Sequence, residues 1–397
     1  MKKSFAKLCA ALVLAVILLV ACTPKSTSSR PNSVPAASTA VTTFGLKPLE
    51  TRQTLRVGFF SGSPHSIPFY IAEQEGFWNE LNIDIEYQPF INGPAMMEAN
   101  ASWDIADVGG PGALVGQLGH DLRMVGICDY EANLGLFVRS NNPIVASGKG
   151  HVSKFPELYG KAQDYRGMQW LYPVGTNLHL TLAAALESLG LSMDDIKSVN
   201  MDVSSALTAF RRGEGDGLAV WNNIAFAAED AGFIRVADAG KLGVTNACAL
   251  MATPNALNNK RELIKKAWQT YYLTWQWANE SSANMQKARD YFLESCENEG
   301  VASDKDTVRR SLELFQCPSV SNAINVMSET RSDNAGLYTK RPLLRAENDL
   351  LQTLDFFIGQ NRYSNTDRLK ILDNNMVDPS LAKEAKADFE SLGIAIK

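Results

Sequence analysis

Two turns in this sequence have the composition of anion-binding helix starts. Thr176 and Asn177 follow a glycine after a strand-like run and precede a long helical segment. Backbone N–H groups at such a start, with the positive end of the helix dipole, bind anions without an arginine. A second start lies at residues 109–112, where Gly110 and Pro111 allow a ligand to approach the backbone closely. The alternatives are an ordinary N-cap at Thr176 and a tight turn at 109–112 that binds nothing.

Carboxylates, a phenol and an indole follow two other strand-like runs. Asp129, Tyr130 and Glu131 come after the run at 122–127. A carboxylate there would pair with an ammonium group of a solute while Tyr130 packs on its carbon chain; the alternative is a solvated acidic turn. Trp221 ends another run and would supply an apolar wall, although a tryptophan in this position also suits the core.

Two histidines are further candidates for contact with a ligand. His179 lies one helical turn after Thr176 and shares its face. The alternative for His179 is a histidine satisfied within its own helix. His65 lies in the first predicted loop, with Ser63 beside it as a hydroxyl donor.

Motifs for catalysis and metal binding are missing. The chain has no Gly-x-Ser-x-Gly, His-Glu-x-x-His or Gly-x-x-x-x-Gly-Lys pattern. Cys128, Cys248, Cys296 and Cys317 are widely spaced and lack a Cys-x-x-Cys pair. Two states of these cysteines are the alternatives: a disulfide between Cys296 and Cys317, or buried free thiols. We therefore expect a protein that is not an enzyme and needs neither metal nor cofactor.

The N-terminus resembles a lipoprotein signal peptide. A lysine-rich start precedes 14 apolar residues at 8–21, and Leu-Val-Ala comes directly before Cys22. An uncut membrane anchor is the alternative, but a span needs about 20 residues. Cys22 is therefore the predicted site of lipidation. Residues 23–53, which begin with a stretch rich in Ser, Thr, Pro and Ala, are predicted to be a flexible tether.

The remaining body of about 345 residues is long enough for two lobes. Strand-like runs at 55–60, 83–87, 105–108 and 122–127 alternate with helix-like segments, and the same rhythm starts again at residue 168. From residue 261 the pattern is largely helical. We predict an α/β protein with two lobes, two hinge crossings and a helical C-terminal region. Ligands of open α/β sheets bind at the carboxyl ends of strands, which favours a cleft between the lobes.

The composition also limits the partners. The net charge is −5, and removal of the lysine-containing signal makes the chain more acidic. No basic stretch remains that would follow phosphates, so nucleic acid is not expected to bind.

Several motifs, in order, resemble the extracytoplasmic solute-binding proteins of taurine, sulfonate and nitrate ABC importers. They are LRVG at 55–58, PFYIA at 68–72, EGFW at 75–78, IDIE at 83–86, WDIADVGGPG at 103–112, GTNLHLTLAAAL at 175–186 and RGEGDGLAVW at 212–221. Each motif is weak alone, and their order makes the resemblance convincing. It covers residues 54–246 well and the C-terminal third loosely. A segment at 141–166 is longer than that family usually carries.

The resemblance implies a two-lobed periplasmic-binding-protein fold within the thiamine-pyrimidine-synthase-like superfamily. Lobe I would comprise residues 54–139 and 247–397, and lobe II residues 140–246, with crossings near 135–140 and 247–252. The protein would be a lipid-anchored, extracytoplasmic monomer that delivers a taurine-like anionic or zwitterionic solute to an ABC permease and its ATPase.

Two other functions are the alternatives. One is an enzyme of the same superfamily, of the thiamine-pyrimidine or menaquinone-route type, although the synthase branch carries clustered cysteines that this chain lacks. Another is a surface lipoprotein that senses a solute rather than importing it. An aromatic carboxylate, a pyrimidine and nitrate are the alternative ligands.

Overall fold

A computed structural model describes residues 42–131, 133–244, 246–331 and 341–397. The predicted signal peptide, with Cys22, lies outside these residues. The strands are β1 (Gln53–Phe60), β2 (Ile83–Phe90), β3 (Ile105–Gly109), β4 (Arg123–Tyr130), β5 (Leu134–Val138), β6 (Gln169–Tyr172), β7 (Lys197–Asn200), β8 (Gly217–Trp221), β9 (Ile234–Asp238), β10 (Ala247–Ala252), β11 (Thr330–Arg331) and β12 (Leu343–Leu344).

Helices cover both sheets and form most of the C-terminal region. They are α1 (Ile67–Gln74), α2 (Phe77–Glu80), α3 (Gly93–Glu98), α4 (Gly110–His120), α5 (Pro143–Ser147), α6 (Ala162–Tyr165), α7 (Asn177–Ser188), α8 (Val203–Arg211), α9 (Asn222–Asp230), α10 (Pro254–Asn259), α11 (Arg261–Ala278), α12 (Ser282–Asn298), α13 (Lys305–Leu314), α14 (Val320–Ser328), α15 (Arg345–Gly359), α16 (Asn365–Asp373) and α17 (Ser380–Leu392). Single 3₁₀ turns lie at Pro64–Ser66, Asn100–Ser102 and Met193–Asp195.

Two five-stranded mixed sheets form the centres of two lobes. Lobe I has the strand order β2-β1-β3-β10-β4, and lobe II has the order β7-β6-β8-β5-β9. In lobe I β2, β1 and β3 pair in parallel, and in lobe II β7, β6 and β8 do so. The strand after each crossing, β10 in lobe I and β5 in lobe II, pairs antiparallel with both of its neighbours. This arrangement confirms the predicted two-lobed α/β class and the helical C-terminal region.

The boundary between the lobes lies earlier than predicted. Residues 134–138, assigned from the sequence to lobe I, form β5 and pair with β8 and β9 in the middle of lobe II. The chain therefore crosses after β4 and again after β9, and β10 belongs to the sheet of lobe I. The two crossings touch, because the Glu131 N–H donates to the Asn246 carbonyl at 3.0 Å.

Residues 42–52 are packed, although the predicted tether extended to residue 53. Leu46 and Leu49 are buried. The Leu49 N–H donates to the Leu81 carbonyl, and the Thr43 N–H donates to the Glu80 carboxylate. Apolar side chains anchor this segment to lobe I because their burial removes them from water.

The segment at 141–166 packs against lobe II. Ile144, Leu158 and Tyr165 are buried against that lobe, and the Tyr159 N–H donates to the Val236 carbonyl of β9. No residue of this segment lines the central cavity described below.

The four cysteines of the body are free thiols, and three of them are buried. Cys296 and Cys317 are not joined by a disulfide. Of the two alternatives, the structure therefore has the free thiols. Among the described residues, no helix combines the length and the apolar character that a bilayer span requires.

C-terminal helices tie the two lobes together. From α13, Arg310 forms an ion pair with Glu229 of α9 and lies 3.9 Å from the centre of the Phe226 ring. From α15, Phe357 packs edge-on against His179 of α7. The C-terminal helices therefore contact lobe II at both α9 and α7.

Candidate functional site

A small cavity lies between the lobes, next to the crossings. Its wall combines glycines and prolines at helix starts with two aromatic rings and one carboxylate. The lining residues are Phe60, Gly93, Pro94, Gly109, Pro111, Gly112, Glu131, Thr176, Asn177 and Trp221. The structure thus brings Pro111, Glu131, Thr176, Asn177 and Trp221 together, as five of the ten predicted site residues.

Helix starts from both lobes converge on this cavity. In lobe I, Gly109 caps α4 without a side chain, so no side-chain oxygen satisfies the first N–H groups of that helix. In lobe II, Thr176 caps α7 by accepting from the Leu178 N–H at 3.3 Å. Helix N-termini of this kind favour a negatively charged ligand group. Gly110 lies just behind the wall, against the Ala247 carbonyl and Thr353.

Glu131 gives the cavity a buried carboxylate. Its Oε2 accepts from Asn177 Nδ2 at 2.8 Å, which joins the first crossing to the start of α7 across the lobe boundary. Burial raises the pKa of the Glu131 carboxyl. The same cavity therefore offers helix-start N–H groups to an anion and a carboxylate to a cation.

A buried polar layer lies behind Glu131. His65 Nε2 donates to Asp129 Oδ2 at 3.1 Å, and its Nδ1 lies 3.9 Å from Asp107 Oδ1. Burial would lower the pKa of His65, but the contact with Asp129 and the charges of Glu131 and Asp107 outweigh it and raise this pKa to about 9. His65 therefore supports the cavity wall instead of forming it. Ser63 serves a local role, because its Oγ accepts from the His65 N–H.

Tyr130 is directed away from the cavity. Its hydroxyl donates to Asp349 Oδ2 of α15 at 3.0 Å. Tyr130 is therefore not among the residues that line the cavity. Alternation along β4 explains the difference, because neighbouring residues of a strand point to opposite faces.

His179 also lies outside the cavity. Its Nδ1 accepts from the Gly175 N–H at 3.2 Å, and its ring packs edge-on against Tyr172 and Phe357. His179 therefore has its hydrogen-bond partner within the protein, as in the alternative interpretation. Burial, with the nearby Arg362 charge, lowers its pKa to about 4.

The His179 environment predicts a pH-dependent stability. Between about pH 6.5 and pH 4 the unfolded chain binds a proton at this residue and the folded chain does not. We expect the free energy of unfolding to fall as the pH drops through this range. Urea titrations at several pH values measure the slope, which should be shallower in His179→Gln. An unchanged slope in that variant would contradict this assignment.

Thr176 offers a direct test of the α7 start. Its hydroxyl accepts from Leu178 and donates to the Pro173 carbonyl at 2.7 Å. Thr176→Ala should cost about 1 kcal/mol of stability through the lost cap. Anion affinity should fall about fivefold, which corresponds to the same energy. Calorimetric titration measures this change, and Thr176→Ser is the control that keeps the hydroxyl. Equal affinities in all three proteins would show that the helix start does not contact the ligand.

Sequence reasoning missed several residues of the site. Phe60 packs 5.9 Å from Trp221 across the cavity, and Gly93-Pro94 adds the start of α3. Cys248 lies beside Glu131, with 3.8 Å between Sγ and Oε2. Phe60 could have been predicted as a site residue because it ends a strand, and the Gly93-Pro94 pair could have been predicted because it starts a helix. No sequence signal linked Cys248 to Glu131.

Comparison with known proteins supports this architecture. A protein from Brucella abortus, provisionally named a binding protein, is 26% identical over 188 residues, covering 47% of this chain and 53% of that protein. This chain thus spans about half the length of that relative. A protein from Brachyspira hyodysenteriae, provisionally named an ABC transporter periplasmic binding protein, is 23% identical over 331 residues, covering 80% of this chain and 86% of that protein.

A solved structure shares the fold. The periplasmic aliphatic sulphonate binding protein of Escherichia coli superposes with a TM-score of 0.57 at 19% identity, covering 81% of this chain and 97% of that one. Residues 63–284, more than half of the chain, match the sequence profile described as NMT1/THI5 like. This two-lobed chain therefore belongs to the NMT1/THI5-like family.

Proposed function

We propose that this protein is the solute-binding component of an ABC importer. It captures a small anionic or zwitterionic organic solute, such as taurine or another sulfonate, between its lobes and delivers it to a membrane permease that works with an ATPase. The observation that carries this proposal is the convergence of helix starts from both lobes on one cavity with a buried carboxylate. The names of the Brachyspira relative and of the sulphonate binding protein support the same class.

A zwitterion suits both kinds of group in the cavity. The helix starts favour a sulfonate or carboxylate, while Glu131 favours a positive group close to it. Nitrate offers no positive group that could pair with Glu131. Taurine-like solutes are therefore the leading ligands.

Solute pairs that differ only by an amino group test this assignment. We expect taurine to bind at least about tenfold more tightly than ethanesulfonate, because a charge-assisted hydrogen bond contributes about 1.5–3 kcal/mol. Isothermal titration calorimetry with both solutes measures the ratio. Equal affinity for the two solutes would show that Glu131 does not recognise the amino group. If neither solute binds, the sulfonate assignment is contradicted.

The predicted lipidation would keep the protein at the membrane. We propose that Cys22 carries the lipid and holds the body outside the cytoplasm, in the periplasm or at the cell surface. A Cys22→Ser variant should move from the membrane fraction to the soluble fraction. A variant that remains membrane-bound would contradict the anchor.

A sensor and an enzyme are the competing functions. The family also includes THI5-type enzymes, but this chain lacks the run of cysteines found in the synthase branch. Deletion of the gene should abolish uptake of the solute if the protein serves an importer. Normal uptake with a lost transcriptional response would identify a sensor instead.

A further inference from the structure

Three buried side chains beside the cavity bring nitrogen, oxygen and sulfur donors together. The donor atoms of His65, Glu131 and Cys248 all lie within 4.8 Å of one another. His65 is completely buried, as is Cys248, and Glu131 is 5% exposed. All three belong to lobe I, although they are separated by 66 and 117 residues in the sequence.

A fourth donor reaches this cluster from lobe II. Asn177 Nδ2 lies 2.8 Å from Glu131 Oε2 and 3.6 Å from Cys248 Sγ. The amide oxygen of Asn177 is buried and has no hydrogen-bond partner. Rotation of the amide by half a turn exchanges its nitrogen and oxygen, which places an acceptor next to the carboxylate and the sulfur. In that orientation the amide oxygen would join the carboxylate and the sulfur as a ligand of a bound cation.

Two of the spacings match a tetrahedral metal site, and the 2.8 Å between the Asn177 amide and Glu131 Oε2 would lengthen when the cation binds. Bonds of about 2.0–2.3 Å to zinc place neighbouring donors roughly 3.3–3.8 Å apart. The distance from Cys248 Sγ to Glu131 Oε2 is 3.8 Å, and that from Cys248 Sγ to the Asn177 amide is 3.6 Å. The donor nitrogen of His65 lies within 4.8 Å of the other donor atoms, so it needs to move by only about 1 Å to reach the spacing of a tetrahedral site.

We propose that His65, Glu131, Cys248 and Asn177 bind a zinc-like divalent cation at the inner end of the interlobe cavity. The imidazole and the thiolate select such a cation over magnesium or calcium, which prefer oxygen donors. Asp129 accepts a hydrogen bond from the His65 ring, the usual support for a metal-binding histidine. Protons displaced from the imidazole and the thiol pass to solvent, and the thiolate and carboxylate balance the charge of the cation.

Metal binding at this site would join the lobes. Asn177 is the first residue of α7 in lobe II, whereas the other three donors are in lobe I. The cation therefore stabilises the closed arrangement in the protein that holds no solute. This inference goes beyond the proposed transport function; a cation on Glu131 would compete with the ammonium group of a zwitterionic solute for that carboxylate.

Cobalt is a suitable probe, since tetrahedral Co²⁺ bound to a thiolate absorbs in the visible and near-ultraviolet. Purified protein without added solute is titrated with Co²⁺, and Zn²⁺ is then added as a competitor. We expect one equivalent of Co²⁺ to produce sulfur-to-cobalt charge-transfer absorption and Zn²⁺ to remove it. Absence of this absorption in the wild-type protein would overturn the proposal.

Two cysteine variants show which thiol binds. Cys248→Ser should lose the charge-transfer absorption, whereas Cys296→Ser should retain it, because Cys296 is a buried thiol in another part of the protein, beside Asn223. Retention of the absorption in Cys248→Ser would overturn the assignment. If Cys248→Ser does not fold, Glu131→Gln provides the test: it keeps the thiolate absorption and should weaken Co²⁺ binding by about tenfold or more. Unchanged Co²⁺ affinity in Glu131→Gln would also contradict the site.

Discussion

Gly109→Leu is expected to reduce solute affinity by about a hundredfold or more while the protein stays folded. A side chain at Gly109 meets lobe II directly: a Cβ there would lie 2.8 Å from Asn177 Nδ2 and 3.1 Å from its Cγ. Asn177 is buried against Glu131 and Cys248 and has little room to retreat. A leucine therefore keeps the lobes apart, and apparent affinity falls with the fraction of molecules that can close.

Gly119→Leu is the matched control for this prediction. Gly119 belongs to the same helix, α4, and a Cβ there meets nothing within 4 Å. Calorimetric titration with the solute measures affinity in the three proteins, and small-angle X-ray scattering measures closure. We expect Gly119→Leu to bind and compact like the wild type. Tight binding by Gly109→Leu would show that the solute does not require the closed cavity.

Trp268→Ala is expected to lower the free energy of unfolding by about 3–5 kcal/mol. Trp268 is completely buried in α11, packs 4.5 Å from Tyr272 and donates through Nε1 to the Val125 carbonyl at 3.0 Å. Removal of the indole leaves a large cavity and an unsatisfied carbonyl in β4, an edge strand of lobe I. A urea titration followed by circular dichroism measures this loss.

Two other substitutions separate packing from hydrogen bonding in this prediction. Trp277→Ala, near the end of the same helix, removes a half-buried indole and should cost much less. Tyr272→Phe keeps the ring and removes only the hydrogen bond to the Ile127 carbonyl, for about 1 kcal/mol. A loss in Trp268→Ala no larger than that in Trp277→Ala would contradict the role of α11 in covering β4.

Local chemistry made much of the fold predictable. The glycine, Thr176 and the apolar period that follows mark the start of α7 within one residue of its observed bound. Similar turn and helix signals locate β1, β3, β8 and β10. These elements are set by residues close together in the sequence, where turn preference and apolar period agree.

Features set by tertiary pairing were harder to predict. The apolar run at 134–138 identifies a strand, but it does not say which sheet the strand joins, and β5 pairs with β8 more than 75 residues later. Tyr130 could have been placed by the alternation of β4, which separates its side chain from those of Asp129 and Glu131. His179 turns towards Tyr172 and α15, a contact that the sequence does not reveal.

The donor cluster beside the cavity shows the same limit. His65, Glu131 and Cys248 have no short-range spacing typical of a metal site, and only the pairing of β10 with β3 and β4 brings Cys248 to Glu131. Motif searches therefore miss a site whose donors come from separate strand ends. Chemistry at this interface depends on topology more than on sequence neighbours.

The most direct test of the account is a thermal-shift screen of the protein with sulfonates, amino acids, nitrate, aromatic carboxylates and pyrimidines. A ligand that binds only the folded state raises the melting temperature by mass action. We predict a clear rise with taurine or a related sulfonate, and no rise with the same solute in Gly109→Leu. A rise only with pyrimidines or aromatic acids would contradict the proposed ligand, and no rise with any solute would contradict solute capture between the lobes.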